Sequence, residues 1–179
     1  MDWRKWIKRA LSILVPCGVI GLLLPIYSLQ PSYRPSHVEA AAQGLRNAVK
    51  QYHLQYGSFS PLSPNPTDSD FTVDSDARLM AILLGLDDER NPRKIAFGEW
   101  REAGKSRTNG LVYAENSDSG ILVDQWGNPF RIVMDVDHDY RLANPDATAE
   151  VRILRQTILV YSAGPDGDFD TWNDNITTW

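Results

Sequence analysis

Between Arg9 and Arg34 the chain carries no charged side chain, and the centre of that stretch, ALSILVPCGVIGLLLPIYSL, is apolar almost without interruption. As a helix, about 20 residues rise roughly 30 Å, the thickness of a bilayer's hydrocarbon core. The pattern predicts a transmembrane anchor over residues 10–30. Arg4, Lys5, Lys8 and Arg9 precede it and no base follows until Arg34, which places residues 1–9, a basic tail, in the cytoplasm by the positive-inside rule. Trp3 and Trp6 then fall at the inner interface, with Tyr27 and Tyr33 near the outer one. A cleaved signal peptide is the competing reading, but the run is long for one and no small-x-small cleavage site follows it closely. Pro16 and Pro25 kink such a span, which is tolerated where neighbours satisfy the freed carbonyls. Cys17 stands alone, so no internal disulfide forms, and Pro16 is a poor fit for the small residue that a lipid-attachment site requires.

The 179 residues include 23 acids and 18 bases, a net charge of −5. Setting aside Asp2 and the four bases of the tail leaves 22 acids against 14 bases, so the body is the acidic part, at −8. That balance argues against a nucleic-acid binder that works by neutralising phosphates. A hydrophobic content of 42% excludes a largely disordered chain. The length beyond the anchor, residues 31–179, suits one domain.

Pro31 and Pro35 bend the chain on leaving the anchor. Ser36-His37-Val38-Glu39 then has capping-box spacing, and Val38, Ala41, Leu45, Ala48, Val49, Tyr52 and Tyr56 recur every three or four residues up to Gly57. The spacing predicts an amphipathic helix whose stripe the rest of the domain must cover. Residues 58–75 read as a surface loop, rich in Pro, Ser and Asp. A short helix is expected over 76–86 with Leu79, Ile82, Leu83 and Leu86 inward, followed by a turn at Asn91-Pro92-Arg93 and a polar connection over 101–109. From Gly110 the pattern changes to strands: 111–114, 121–123, the alternating run Phe130, Ile132, Met134 and Val136, and a last strand over 157–161. Asp124 to Pro129 forms a turn between the second and third of these. The expected class is α+β, a helix packed on a small antiparallel sheet.

Four segments, in this order, resemble the major pseudopilin (GspG) family of bacterial type II secretion. They are the helix end Leu45 to Gly57, Asn91 to Phe97, Val123-Asp124-Gln125-Trp126-Gly127-Asn128-Pro129-Phe130, and Tyr161-Ser162-Ala163-Gly164-Pro165-Asp166-Gly167. The third matches the family's Asp-Pro-Trp-Gly-Asn-Pro-Tyr signature with Gln125 for Pro and Phe130 for Tyr; the fourth matches its calcium loop. The likeness covers residues 38–179 and marks a divergent member, because the glutamate that follows the prepilin peptidase site in the family is missing after both Gly18 and Gly21.

The resemblance implies a structural protein in the inner membrane with its domain in the periplasm. Its partners would be other pseudopilins or secretion-system subunits, with self-assembly through the anchor. It also implies Ca2+ held by Asp166, Asp174 and the Ala163 carbonyl, to which Asp168 and Asp170 are natural additions. The residues themselves point the same way, since Asp166, Asp168, Asp170 and Asp174 crowd together with no Lys or Arg after Arg155. A solvated acidic tail is the alternative reading; Gly164, Pro165 and Gly167 favour a shaped loop. The run Asp135-Val136-Asp137-His138-Asp139 alternates in the same way but reads as a solvated hairpin, with Asp135 on the outward face of its strand. His37, His53 and His138 lack ligand spacing and are expected at the surface. Ser162 has no nucleophile-elbow sequence and no downstream His, so no enzymatic role is expected. Trp126 is expected in the seam between sheet and helix, and Trp172 and Trp179 against the acidic loop. The competing function is a membrane-tethered, non-polymerising envelope binding module with a pseudopilin-like head.

Overall fold

A computed structural model describes residues 36–65, 68–115 and 117–179. The tail and the expected anchor, residues 1–30, lie outside the described residues; among the described residues no helix is long and apolar enough to cross a membrane.

Helix α1 spans Ser36–Tyr56 and ends at Gly57, whose φ of 76° is the left-handed conformation that stops a helix. Its stripe of Val38, Ala42, Leu45, Ala48, Val49 and Tyr52 is buried, with Ala41 and Tyr56 at the margin. The surface that covers it is a four-stranded antiparallel sheet built from β1 (Phe71–Asp74), β4 (Phe130–Met134), β7 (Ile158–Ser162) and β8 (Ile176–Thr177), in the order β1-β4-β7-β8. The central strand alternates as its sequence requires: Phe130, Ile132 and Met134 are fully buried and Arg131 and Val133 are not. Its neighbour β7 is buried at all five positions.

Helix α2, Ala77–Leu83, starts at an Asp76 cap that accepts the Leu79 N–H at 2.8 Å. It buries Leu79, Met80, Ile82 and Leu83. Strands β2 (Gly110–Tyr113) and β3 (Gly120–Val123) form one separate hairpin, and β5 (Leu142–Ala143) and β6 (Ile153–Leu154) a second. The first hairpin is stitched to the sheet through Ser75, buried just past β1. Its N–H donates to the Phe130 carbonyl at 2.8 Å, its carbonyl accepts the Leu122 N–H at 3.0 Å, and its hydroxyl donates to the Leu122 carbonyl at 2.6 Å while accepting the Phe130 N–H at 2.9 Å.

The α+β class holds, with departures in detail. Residues 58–75 are not a plain surface loop: Phe59 and Leu62 are core, a 3-10 turn spans Ser60–Leu62, and Phe71–Asp74 is an edge strand. The second helix is shorter than expected, and Leu86, predicted inward, is 49% exposed because Gly85 turns the chain first. The last strand is β8, not β7, and it lies in what composition marks as a polar tail.

Candidate functional site

Two buried polar knots tie the four family-like segments together in pairs. In the first, Asn91 is fully buried and uses both ends of its amide. Its Nδ2 donates to the carbonyls of Ile82 and Ile95 at 2.7 and 2.8 Å, and its Oδ1 accepts the Tyr56 hydroxyl at 2.6 Å and the Ile95 N–H at 3.1 Å. Beside it the Tyr52 hydroxyl donates to the Arg90 carbonyl at 2.8 Å, and burial pushes that phenol up to about 12. The end of α1 is thereby fastened to the 91–97 segment, with Phe97 edge-on to Tyr52 at 5.5 Å between ring centroids.

In the second knot Asp124, 1% exposed, folds its own turn by accepting the Trp126 and Asn128 N–H groups on Oδ1, each at 2.9 Å. Its Oδ2 accepts the hydroxyl of Ser162 at 2.5 Å, and that hydroxyl oxygen accepts the Gly164 N–H at 3.0 Å. Asn128 closes the ring by donating to the Gly164 carbonyl at 2.9 Å. A carboxylate with three donors is satisfied without a counter-charge. Ser162 is therefore a structural link between the turn and the acidic loop.

That loop is shaped by its own carboxylates. Asp166 Oδ1 accepts the Asp168 N–H and Asp168 Oδ1 the Asp170 N–H, both at 2.9 Å, while the Thr171 hydroxyl donates to Asp166 Oδ2. The Thr171 hydroxyl foremost, then the Asp168 N–H, holds the Asp166 carboxyl below the usual carboxylate range. Asp166, Asp168 and Asp170 are exposed, whereas Asp174 is half-buried and Ala163 fully buried. Gly164, at φ 71°, lies so close to Asp174 that a Cβ there would sit 2.9 Å from the Asp174 carbonyl carbon. The Oδ1 atoms of Asp174 and of its neighbour Asn175 are buried with no hydrogen-bond partner. Of the positions the resemblance implies, Asp174 thus offers a bare ligand oxygen, with that of Asn175 beside it.

Aromatic rings fix this loop to the sheet. Phe169, Trp172 and Trp179 surround Tyr161 of β7 at 5.5, 5.3 and 5.8 Å between centroids. Arg131 of β4 lies 3.8 Å above the Phe169 ring and donates from Nε to Asp74 at 3.0 Å. Trp126 packs half-buried against the core, and Tyr52 and Tyr56 close the helix end.

One histidine and one residue of the second acidic run depart from expectation. His53 is half-buried and stacked on Phe59 at 4.2 Å, with Nε2 buried and unpartnered; burial foremost, then His138, pushes its imidazole down against the opposing charge of Asp135. Only His37 and His138 are at the surface. Asp135 does not face outward: it is fully buried. Strand β4 ends at Met134, so the period-two argument stops applying one residue before it. One group of three acids among the described residues brings its carboxylate oxygens within 4.8 Å of one another, and it is Asp70, Asp135 and Asp137, away from the C-terminal loop. Sequence pattern could not reveal it, because Asp70 joins from the foot of β1, which only the fold sets beside β4.

Comparison with models of known protein families, with curated proteins and with solved structures finds no match to this chain.

Proposed function

We propose that the chain is a structural, non-enzymatic subunit of a type II secretion-type system, anchored by residues 10–30 and carrying a pseudopilin-like head with a calcium-ordered C-terminal loop. The observation that carries this reading is the pairing of the four family-like segments, Asn91 with Tyr56 and Asp124 and Asn128 with Ser162 and Gly164. Segments singled out by their likeness to family motifs meet, two by two, as hydrogen-bonded partners in a helix-on-sheet domain, as parts of one inherited architecture would. Calcium would be held by the bare Asp174 Oδ1, the Ala163 carbonyl and Asp166, with Asp168 and Asp170 at the mouth. When bound it supplies the positive charge that this Lys- and Arg-free stretch lacks. In this reading the head is periplasmic, the partners are other pseudopilins or secretion-system subunits, and the anchors pack together during self-assembly.

The missing glutamate after Gly18 and Gly21 favours one competing reading, a membrane-tethered envelope binding module that keeps the head without polymerising. Mass spectrometry of the mature N-terminus, combined with cross-linking in native membranes, separates the two. A new methylated terminus and cross-links to pseudopilin subunits are expected for the secretion subunit. An intact Met1 without such cross-links would replace it with the tethered module.

A further inference from the structure

Antiparallel pairing of β1 with β4 sets Phe71 opposite Met134. Just past this last pair come Asp70 and Asp135, whose carboxylates lie close together, and like charges brought together at a strand end destabilise a sheet unless something neutralises them. Asp70 is held there, since its Oδ1 accepts the Val136 N–H at 3.0 Å. Asp135 is held as well: its N–H donates to the Thr157 carbonyl at 3.0 Å, and its Oδ2 accepts the Tyr140 N–H at 3.1 Å as the chain folds back. Asp137 Oδ1 shapes that fold by accepting the Asp139 N–H at 3.1 Å. Three carboxylates are thereby fixed from two separate parts of the chain.

Asp135 is 0% exposed, and its Oδ1 is buried without a hydrogen-bond partner. A carboxylate oxygen in that condition is buried without a direct partner, a costly state unless an ion or other ligand answers it. Among the described residues no ion pair involves Asp70, Asp135 or Asp137: Arg141 is directed to Asp139 at 3.8 Å, and His53, close enough to feel the Asp135 charge, makes no ion pair with it. The carboxylate oxygens of the three acids all lie within 4.8 Å of one another. Oxygens within that limit can share one cation, and calcium accepts irregular carboxylate placement where magnesium demands a near-ideal octahedron. An all-oxygen acidic set likewise selects a hard cation over zinc or copper.

We propose that Asp70, Asp135 and Asp137 form a calcium site that clamps the end of β4 to the start of β1, independent of the C-terminal loop and of the secretory reading. Asp135 supplies the buried ligand and Asp70 and Asp137 the exposed ones, with water completing the shell.

The test is calcium calorimetry on the full chain in detergent, using two sets of variants. Because Asp70 and Asp137 are exposed, Asp70→Asn and Asp137→Asn leave the core intact, whereas Asp135→Asn alters a buried group and is not relied upon. A double variant, Asp166→Asn with Asp174→Asn, removes the ligands of the C-terminal loop. It is expected to retain one Ca2+ per chain, and adding Asp137→Asn is expected to weaken that remaining binding about tenfold or more. Asp70→Asn should act in the same direction. Loss of all Ca2+ binding in the loop double variant would overturn the proposal while leaving the loop site standing. So would unchanged affinity and stoichiometry in Asp70→Asn and Asp137→Asn, or a site that takes Zn2+ but not Ca2+.

Discussion

Single residues carry much of the organisation. Asn91 makes four hydrogen bonds from a fully buried amide, so Asn91→Ala takes a donor from the Ile82 and Ile95 carbonyls and the acceptor from the Tyr56 hydroxyl and the Ile95 N–H. A loss of roughly 2–4 kcal/mol is expected, read as a lower midpoint in urea unfolding with little change in slope. Gly164→Ala combines a left-handed backbone with a collision against the Asp174 main chain. It should cost about 2–4 kcal/mol and abolish any calcium response of the loop, whereas Gly44→Ala, on α1 with open space around it, should be neutral or slightly stabilising in the same melting experiment. At this scale the sequence is only partly readable. Gly57 announces itself as a helix stop, because its role is local. Asn91 sits in a segment that composition marks only as a turn, and its partners come from three stretches of chain that no spacing rule connects.

Among the elements, α1 was the most legible: a 3.6-residue period sustained over 21 residues needs no tertiary knowledge to be seen. The strand β4 was legible for the same kind of reason, through its alternation. The short strands were not. The two residues of β8 have no period, and they pair because Trp172 and Trp179 dock on Tyr161 and bring the tail alongside β7. The tail's order thus derives from ring contacts more than from strand propensity. Trp172→Ala removes one of the three rings around Tyr161, and a loss of about 2–3 kcal/mol is expected. Limited proteolysis should show new cleavage within residues 165–175, and an unchanged digestion pattern would mean that the remaining rings suffice.

For the whole molecule, charge decides the response to ions. A body carrying 22 acids against 14 bases, with bare oxygens at Asp135, Asp174 and Asn175, is under electrostatic load that a bound divalent ion relieves. Calcium at a hundred times its dissociation constant should stabilise the full chain by about 2.7 kcal/mol per site, a rise in melting temperature of roughly 5–10 °C per site that a chelator reverses. A melting temperature indifferent to both would remove calcium from either position. The hydroxyl of Ser75 has a further consequence at this scale. With its proton and a lone pair both committed, and the main chain of the same residue joining β3 to β4, the hairpin has no independent way to peel off the sheet. Under native conditions the amides of Ser75, Leu122 and Phe130 should therefore take up deuterium together and last, at the rate set by complete unfolding.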